Sequence, residues 1–155
     1  KSIKDSWRKF GKSQKLVFSY HGVPKKFLLK GDPYHWFCQK TTKLVAEKMK
    51  LKKEEYITTF QSRFGPGEWL KPYTDKILEE LPTKGIKKVH ILSPGFSSDC
   101  LETLEELEVE NKENFLSSGG KRYNYIKCLN DEPQHLDMLA LLILNHTKGW
   151  PGNNN

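Results

Sequence analysis

Hydrophobic and polar positions divide the chain into two kinds of segment. Short runs of apolar, β-branched and aromatic residues, typical of buried strands, occur at 15–20, 56–60, 88–92 and 125–129. Longer segments whose apolar residues recur at helical spacing predict helices over 32–53, 72–81, 99–116 and 133–146. Strands and helices therefore alternate along the chain, and a further helix over 3–10 precedes the first strand.

This alternation predicts the fold class. Strands that are separated by helices of this length run parallel, because each helix returns the chain to the same end of the sheet. The chain has 155 residues, of which 36% are hydrophobic, enough for one core. We therefore predict an α/β domain with a doubly wound, four-stranded parallel sheet flanked by helices. Its expected boundaries are a linking helix over 1–13, the domain over 14–150 and a disordered tail over 151–155.

The amino-acid composition indicates which partners and which cellular environment suit the protein. Lys and Arg number 26 against 19 Asp and Glu, a net charge of +7 that favours an anionic partner such as phosphate, nucleic acid, a carboxylate ligand or a membrane surface. The three cysteines are widely spaced and odd in number, which favours a reducing cytoplasm over a disulfide framework. The longest apolar run, 139–144, is far shorter than the roughly 20 residues of a membrane-spanning helix. The chain does not begin with Met, so we expect it to be a piece of a longer product.

Ligands of open parallel sheets bind beyond the carboxyl ends of the strands. The loops expected there are 21–24, 61–67, 93–102 and 130–133. The first three are rich in functional groups and contain an imidazole, a guanidinium, amides, hydroxyls and carboxylates. The candidate site is therefore predicted at this edge of the sheet.

An acidic segment follows the third of these loops. Residues 99–113 contain seven acids and only one base, Lys112, so the rest of the chain carries a charge of +13. A slightly underwound or π-type helix would bring Glu102, Glu106 and Glu110 into one file. Such a segment is either a solvated amphipathic helix whose first-turn acids favour the helix dipole, or a path of oxygen ligands for a divalent cation.

Three separated motifs carry a resemblance to a known family. They are S-Y-H-G-V-P at 19–24, T-F-Q-S-R-F-G-P at 59–66 and P-G-F-S-S-D-C-L-E-T-L-E-E at 94–106. In this order, on strand-end loops, they make the chain resemble ferrochelatase over about 15–144. The resemblance implies a chelatase-like, Rossmann-like domain, one of two similar domains that face each other across a porphyrin cleft. The chain is similar to the C-terminal one, and the N-terminal domain of the same protein is missing.

The resemblance also implies an activity, that of a lyase. The family inserts Fe²⁺ into protoporphyrin IX with release of two protons, the final step of heme biosynthesis, and the isolated fragment is expected to be inactive without its N-terminal half.

The resemblance also implies roles for the residues at matching positions. The implied catalytic residues are His21 and Glu102; the residues implied to handle metal are His21, Glu102, Glu106 and Glu110; those implied for the porphyrin pocket are Trp69, Gln61, Ser62 and Arg63. Whether His21 or Glu102 handles metal or protons stays open at this point.

Other expectations concern cofactors, partners and cellular location. No tightly bound cofactor is expected, because Fe²⁺ is a substrate and the chain lacks the extra cysteines of the iron–sulfur cluster that some members carry. Cys100 stands where some members have His, so its role is open. We expect a cytoplasmic protein, with peripheral contact to an anionic membrane as a weaker expectation and no nucleic acid partner. His35, His90, His135 and His146 match no motif and are expected at the surface or half-buried.

The sequence leaves two alternative functions open. One is a chelatase for another metal or tetrapyrrole, such as cobalt or coproporphyrin. The other is a non-catalytic basic α/β module that binds an anion or nucleic acid. The acidic segment at the presumed ligand end disfavours the second alternative. A hydrolase is disfavoured because the chain has no G-x-S-x-G motif.

Overall fold

The predicted strands pair side by side and all run in the same direction. The structure, a computed structural model, describes residues 1–151, so the tail predicted over 151–155 lies outside the described residues except for Pro151. Within residues 1–151 the sheet has the order β2-β1-β3-β4, formed by β1 Lys15–His21, β2 Tyr56–Gln61, β3 Lys88–Leu92 and β4 Arg122–Ile126. Each neighbouring pair is parallel, which confirms the predicted sheet.

Helices occupy the connections between the strands. Their bounds are α1 Ser2–Phe10, α2 Lys25–Leu29, α3 Tyr34–Lys48, α4 Thr74–Glu80, α5 Leu101–Leu104, a π-helix Glu106–Glu110, α6 Asn111–Ser117 and α7 Pro133–His146. A short 3₁₀-helix, Lys53–Glu55, leads into β2. The helix expected over 133–146 is confirmed at both ends, and the one expected over 3–10 begins one residue earlier.

Both faces of the sheet are buried, because successive side chains of a strand point to opposite sides. On β1, Phe18 and Tyr20 pack on the face that carries α1 and α3. Val17 points the other way, into a second core formed with α4, the π-helix and α6. Burial on both sides explains why this strand is a continuous apolar run in the sequence. Helices on both faces confirm the doubly wound class.

The fourth strand lies three residues earlier than the sequence predicts. It spans Arg122–Ile126 instead of 125–129. Its register is fixed at the start, where the amide of Arg122 donates to the carbonyl of Lys87. Two polar residues, Arg122 and Asn124, interrupt the apolar pattern and hide the true start of the strand.

Other helical segments also differ from the prediction, and the single helix expected over 99–116 is divided into α5, the π-helix and α6. The helix expected over 32–53 ends at Lys48, because Lys50 takes a left-handed φ of 54° that an α-helix cannot continue through. The sequence pattern does not predict α2, since five residues make little more than one turn and give no period.

The last helix, α7, exposes most of its apolar side chains. The exposed apolar residues are Leu136, Met138, Leu139, Leu141, Leu142, Ile143 and Leu144. The helix has 14 residues. Among residues 1–151, no helix is both long and apolar enough to cross a membrane.

His90 is buried in the sheet, so the expectation of a surface or half-buried residue is wrong. Its side chain is 1% exposed, and its ring lies between α1 and β4. Nε2 lies 3.1 Å from the side-chain amide nitrogen of Asn124, which can only donate, so Nδ1 carries the proton and donates to Ser6 at 3.0 Å. Burial, and then the charge of Arg122, lower the pKa of His90 to about 4.

We expect His90 to destabilise the fold as the pH falls. Its folded pKa of about 4 lies below the unfolded value of 6.5, so the stability contributed by the neutral ring is present above pH 6.5 and is lost toward pH 4. The loss between pH 7.5 and pH 4.5 is about 2 kcal/mol. Urea unfolding at pH 7.5 and 4.5 measures it. His90→Gln should lose less stability than wild type over this interval, and an equal loss in both proteins would contradict the assignment.

Candidate functional site

The strand order places a crevice between β1 and β3. The chain leaves β1 for β2 on one side and returns to β3 on the other, so the loops after β1 and β3 diverge. Open parallel sheets bind ligands at such a switch point, beyond the carboxyl ends of the strands. His21 is the last residue of β1, and Glu102 lies in α5, the first helix after β3. The fold therefore brings the two implied catalytic residues to the same crevice.

One ring nitrogen of His21 is hydrogen-bonded to the backbone, and the other is available to a ligand. Nδ1 lies 2.6 Å from the carbonyl oxygen of Gly22, which can only accept, so Nδ1 carries the proton. The neutral ring then keeps its lone pair on Nε2. The rings of Phe64 and Phe96 lie with their centroids 6.3 Å from the imidazole, and the hydroxyl of Tyr34 donates to the backbone carbonyl of His21 at 2.8 Å. Nε2 of this well-packed ring has the chemistry to accept a proton or bind a metal ion.

Glu102 is an ionised carboxylate within electrostatic reach of His21. A hydrogen bond from the thiol of Cys100 lowers the pKa of Glu102, followed by its own backbone amide and by the charge that the His21 ring carries when it is protonated. In turn, burial and the neighbouring Glu102 raise the pKa of the Cys100 thiol. Cys100 therefore remains a neutral thiol that donates to the carboxylate.

The acidic segment forms one file of carboxylates, as a π-type helix predicts. In an α-helix, residues four and eight apart drift by about 40° and 80° around the axis. The π-helix Glu106–Glu110 has a wider turn and offsets that drift. Glu102, Glu106 and Glu110 accordingly line the same cleft, which has a volume of about 470 Å³.

Glu106 differs from the other two glutamates because the end of β2 holds its carboxylate. The amide of Ser62 donates to Oε1 at 2.7 Å, and the Ser62 hydroxyl donates to Oε2. The side-chain amide of Gln61 also donates to Oε2, at 3.3 Å. Ser62 has a left-handed φ of 58°, an uncommon backbone for serine, and in this conformation its amide and hydroxyl reach one carboxylate. The middle of the acidic file is thus fixed in place.

Gln61 joins three parts of the site and is itself buried. Besides Glu106, its Nε2 donates to the carbonyl of Glu102 at 2.7 Å. Its Oε1 accepts from the hydroxyl of Ser19 at 2.7 Å, and Ser19 lies 2.8 Å from Thr74 at the start of α4. The sequence implies that Gln61 and Ser62 contact the porphyrin, which stays a prediction. What the contacts establish is that both residues position the acidic helix.

Arg63 borders the same cleft, but an acid already pairs with its guanidinium. Nη2 donates to Asp75 at 2.6 Å, and the guanidinium lies 4.0 Å above the ring centre of Tyr73. The contact of Arg63 with the porphyrin stays a prediction. To make that contact, Arg63 would have to bind the porphyrin while its guanidinium is paired with Asp75 of α4.

Trp69 lies beside the His21 loop and borders a separate hollow of about 200 Å³ instead of the acidic cleft. Its ring meets that of Phe64 edge-on, with centroids 6.3 Å apart. Gly22 makes this packing possible, because a Cβ there would lie 2.7 Å from the carbonyl oxygen of Gln61 and 3.3 Å from Trp69 Cε3. A glycine is required at position 22 for these segments to approach. The predicted porphyrin contact of Trp69 is not tested.

The sequence did not identify Asp99 as a structural centre of the loop after β3. Burial opposes its ionisation, but hydrogen bonds from Asn130, Tyr125 and the Cys128 amide outweigh that effect and lower the pKa of Asp99. The donor distances are 2.8, 2.7 and 3.1 Å. These contacts tie the start of α5 to the loop after β4. Asp99 therefore helps to fix the position of Glu102, which lies in α5.

His135 is a second structural residue that the sequence analysis missed, and its expected placement at the surface or half-buried is wrong. It is 6% exposed. Nδ1 lies 2.8 Å from the carbonyl oxygen of Asn130, so Nε2 is left to accept from the Ser97 hydroxyl at 3.0 Å. No local pattern signals this contact, because Ser97 and His135 are 38 residues apart.

The residues implied to handle metal do not gather into one centre. His21 ends β1, and Glu102, Glu106 and Glu110 follow one another along the cleft. Within residues 1–151, no group of three or more His, Cys, Asp and Glu side chains is placed to hold a metal ion. The arrangement suits stepwise passage of a cation along the file. The metal role of the four residues stays a prediction.

Comparison with known proteins gives a consistent family match. A family model described as Ferrochelatase matches residues 1–147. Ferrochelatases of Marinobacter nauticus, Pseudoalteromonas atlantica and Idiomarina loihiensis are 54%, 54% and 55% identical to the chain over 148, 149 and 148 residues. Each alignment covers 96% of this chain but 40% or 41% of the relative. The chain therefore spans about two fifths of the length of these curated relatives.

One solved structure has the same fold. It is a protein from Marinobacter aquaeolei that is described as a cobalamin (vitamin B12) biosynthesis CbiX protein, and it aligns with a TM-score of 0.53. The alignment covers 85% of this chain and 94% of that one at 10% identity. At this identity the likeness concerns the fold alone.

We expect Gln61→Glu to destabilise the protein in a pH-dependent way. The new carboxyl would be buried beside the carboxylate of Glu106, so its folded pKa would lie above the unfolded value of about 4.3. The free energy of unfolding of the variant is then little changed below pH 4.3. It falls further below that of wild type as the pH rises through the folded pKa, by about 2–3 kcal/mol in the end. Urea unfolding at pH 5 and pH 8 measures it.

The uncharged variant Gln61→Met is the matched control. It removes the hydrogen bonds that the Gln61 side chain makes with Ser19, Glu106 and the Glu102 carbonyl, at a cost of about 1–3 kcal/mol at both pH values. If both variants lost equal stability at pH 5 and pH 8, Gln61 would not face the acidic file as described.

Proposed function

Because the chain belongs to the ferrochelatase family, we propose that it forms the C-terminal part of an enzyme that inserts Fe²⁺ into protoporphyrin IX. The reaction releases two protons and completes heme biosynthesis. The rest of the enzyme is the N-terminal portion of the same protein, which supplies the other wall of the porphyrin cleft. The observation that carries the proposal is the placement of an available imidazole nitrogen and an ionised carboxylate at the same switch point.

The two groups suit different parts of the reaction. A carboxylate with a lowered pKa is a weak proton acceptor and a good ligand for a hard cation, which favours Glu102 as the residue that hands over the metal. His21 keeps a lone pair on Nε2 in the neutral tautomer, which favours it as the acceptor of the pyrrole protons. Packing between Phe64 and Phe96 holds the imidazole in one orientation.

The acidic file gives the cation a route to Glu102. Glu110, Glu106 and Glu102 line one cleft, so a hydrated Fe²⁺ would meet oxygen ligands in succession. Ser62 and Gln61 already engage both oxygens of the Glu106 carboxylate, which makes Glu106 a weaker ligand than its neighbours. A weak intermediate ligand favours passage over retention.

Several further properties belong to the proposal. Fe²⁺ is a substrate, and no tightly bound cofactor or iron–sulfur cluster is proposed. The chain by itself is expected to lack activity, because half of the porphyrin cleft lies in the N-terminal portion. The enzyme is proposed to be cytoplasmic, with a peripheral contact to the membrane and no nucleic acid partner.

Anaerobic porphyrin metallation by the full-length protein that contains this chain tests the proposal. His21→Ala is expected to lower the rate at least about 100-fold, since it removes the proton acceptor. Glu102→Gln is expected to lower the rate similarly and to raise the KM for Fe²⁺. The shift in porphyrin absorption and the loss of its fluorescence follow the reaction.

Glu113→Gln is the matched control. It removes one negative charge from the same acidic segment, at an exposed position outside the cleft, and should change the rate less than about twofold. Wild-type rates in both His21→Ala and Glu102→Gln would refute the residue roles. A lack of metallation with Fe²⁺, Zn²⁺ and Co²⁺ on protoporphyrin IX and coproporphyrin would refute the chelatase function.

A further inference from the structure

Asn111 is a buried residue in the wall of the acidic cleft. It directly follows the π-helix and is 3% exposed, whereas Glu105 and Glu110 of the same wall are exposed. A buried side-chain amide destabilises a protein unless its nitrogen and its oxygen both have hydrogen-bond partners. The partners of this side chain therefore indicate its role.

The side-chain nitrogen of Asn111 is satisfied. Nδ2 donates to the carbonyl oxygen of Glu106 at 2.7 Å, and the backbone amide of Asn111 donates to the same oxygen. Because a carbonyl oxygen only accepts, the first contact identifies Nδ2, and the other end of the amide is Oδ1. The two residues are five apart, which is the hydrogen-bond spacing of a π turn. The nitrogen of Asn111 thus holds the end of the π-helix in place.

The side-chain oxygen of Asn111 has no hydrogen-bond partner within residues 1–151. Two other buried side-chain atoms of these residues share this property, Nε1 of Trp7 and Oγ of Ser13, and neither residue lines the acidic cleft. A buried amide oxygen without a donor destabilises the fold. In native structures such a group is commonly explained by a catalytic role or by a bound water or ion. The position of Asn111 in the cleft wall indicates that the donor for Oδ1 arrives through the cleft.

The acidic cleft suits a hydrated divalent cation. Its carboxylates are Asp75, Glu102, Glu105, Glu106 and Glu110. Arg63 is a base in the same wall, and its guanidinium is already paired with Asp75. Divalent cations take asparagine oxygens alongside carboxylates, and the waters that they carry donate hydrogen bonds. An anion or an apolar ligand would gain little from these groups.

We propose that Oδ1 of Asn111 binds a hydrated divalent cation as the cation passes between Glu110 and Glu106. A water of the hydration shell donates to the amide oxygen, while the neighbouring carboxylates attract the positive charge. Exposed side chains change rotamer within nanoseconds, so Glu105 and Glu110 can open the way to this oxygen. The inference rests on the proposed cation route, and it adds a residue beyond the third motif, which ends at position 106.

An uncharged oxygen suits a site that a cation has to leave again. Ser62 and Gln61 already donate to both oxygens of the Glu106 carboxylate, so a cation gains less from Glu106 alone. Asn111 adds an acceptor at the same helical turn without adding a negative charge. Ions pass along a series of sites fastest when each site binds well enough to be entered and weakly enough to be left. The amide oxygen therefore favours entry into the file without trapping the cation there.

A purely structural role would account for Nδ2 of Asn111 and leave Oδ1 unexplained. Substitution by serine separates the two roles, because a serine hydroxyl can donate to the carbonyl of the preceding helical turn as Nδ2 does. Asn111→Ser can therefore keep the π-helix in place, but it brings no amide oxygen to the cleft. Asn111→Asp does the reverse. It keeps an oxygen in the cleft wall, adds a negative charge and loses the donor to Glu106.

Binding of Mn²⁺ to the full-length protein without porphyrin tests the inference. Mn²⁺ prefers oxygen ligands, and electron paramagnetic resonance measures the free ion. Asn111→Ser should weaken Mn²⁺ binding about tenfold, because it removes an acceptor for the waters of the metal. Asn145→Ser is the matched control, since it makes the same change at an exposed position of α7 and should bind Mn²⁺ like wild type. Equal affinities of Asn111→Ser and wild type would overturn the proposal.

The second variant should change Mn²⁺ binding in the opposite direction. Asn111→Asp is expected to bind Mn²⁺ at least about threefold more tightly than wild type, because the added charge attracts the cation. A merely structural role predicts weaker binding instead, since the π-helix loses the anchor at the Glu106 carbonyl. Weaker binding by Asn111→Asp would therefore also overturn the proposal.

Paramagnetic broadening in the wild-type protein gives a measurement that needs no variant to fold. In protein that contains isotope-labelled asparagine, substoichiometric Mn²⁺ should broaden the side-chain amide signal of Asn111 and leave that of Asn145 sharp. An unbroadened Asn111 signal would overturn the proposal. None of these measurements involves porphyrin, so their failure is distinct from a failure of metallation, which would refute the chelatase function.

Discussion

The site depends on the contact between the Glu106 carboxylate and the end of β2. One carboxylate accepts from the Ser62 amide, the Ser62 hydroxyl and the Gln61 side chain, so the π-helix is anchored to the sheet at its first turn. Gln61 extends the same anchor to the backbone of Glu102. An ionised group bound by several donors is worth more than a neutral hydrogen bond, and breaking it leaves a charge without partners. The position of the acidic file relative to His21 follows from this one junction.

Much of this architecture can be predicted from local sequence. Strands buried on both faces give continuous apolar runs, and three of the four in residues 1–151 lie where those runs occur. For the acidic segment the sequence left two interpretations open, a solvated amphipathic helix and an underwound or π-type helix that aligns Glu102, Glu106 and Glu110, and the structure has a π-helix there. The family motifs predict His21 and Glu102 on loops beyond the strands, and the structure has them nearby, at the last residue of β1 and in α5. The fourth strand was misplaced because its register is fixed by a backbone bond from Arg122 to Lys87, and a pattern of side chains does not record such a bond.

What escaped prediction depends on contacts between distant parts of the chain. His90 bonds to Ser6 and Asn124, and His135 bonds to Ser97, so both rings are buried with their nitrogens satisfied. A histidine outside a motif has no local signature of such a position. The same holds for the role of Ser62 and Gln61, which motif comparison assigns to the porphyrin although their visible contacts are with Glu106. Residues that hold a site together and residues that touch a ligand can occupy the same motif.

The π-helix also has a consequence for how this segment tolerates insertions and deletions. A π turn accommodates about one residue more than an α turn spans. Five residues of a π turn and four residues of an α turn rotate the chain by about the same angle, so removing a single residue from 106–110 would restore regular α-helix with little rotation downstream. Phe115, fully buried against Tyr123, would then keep its place in the second core. The π turn therefore accommodates its extra residue without changing which side of α6 packs on the sheet.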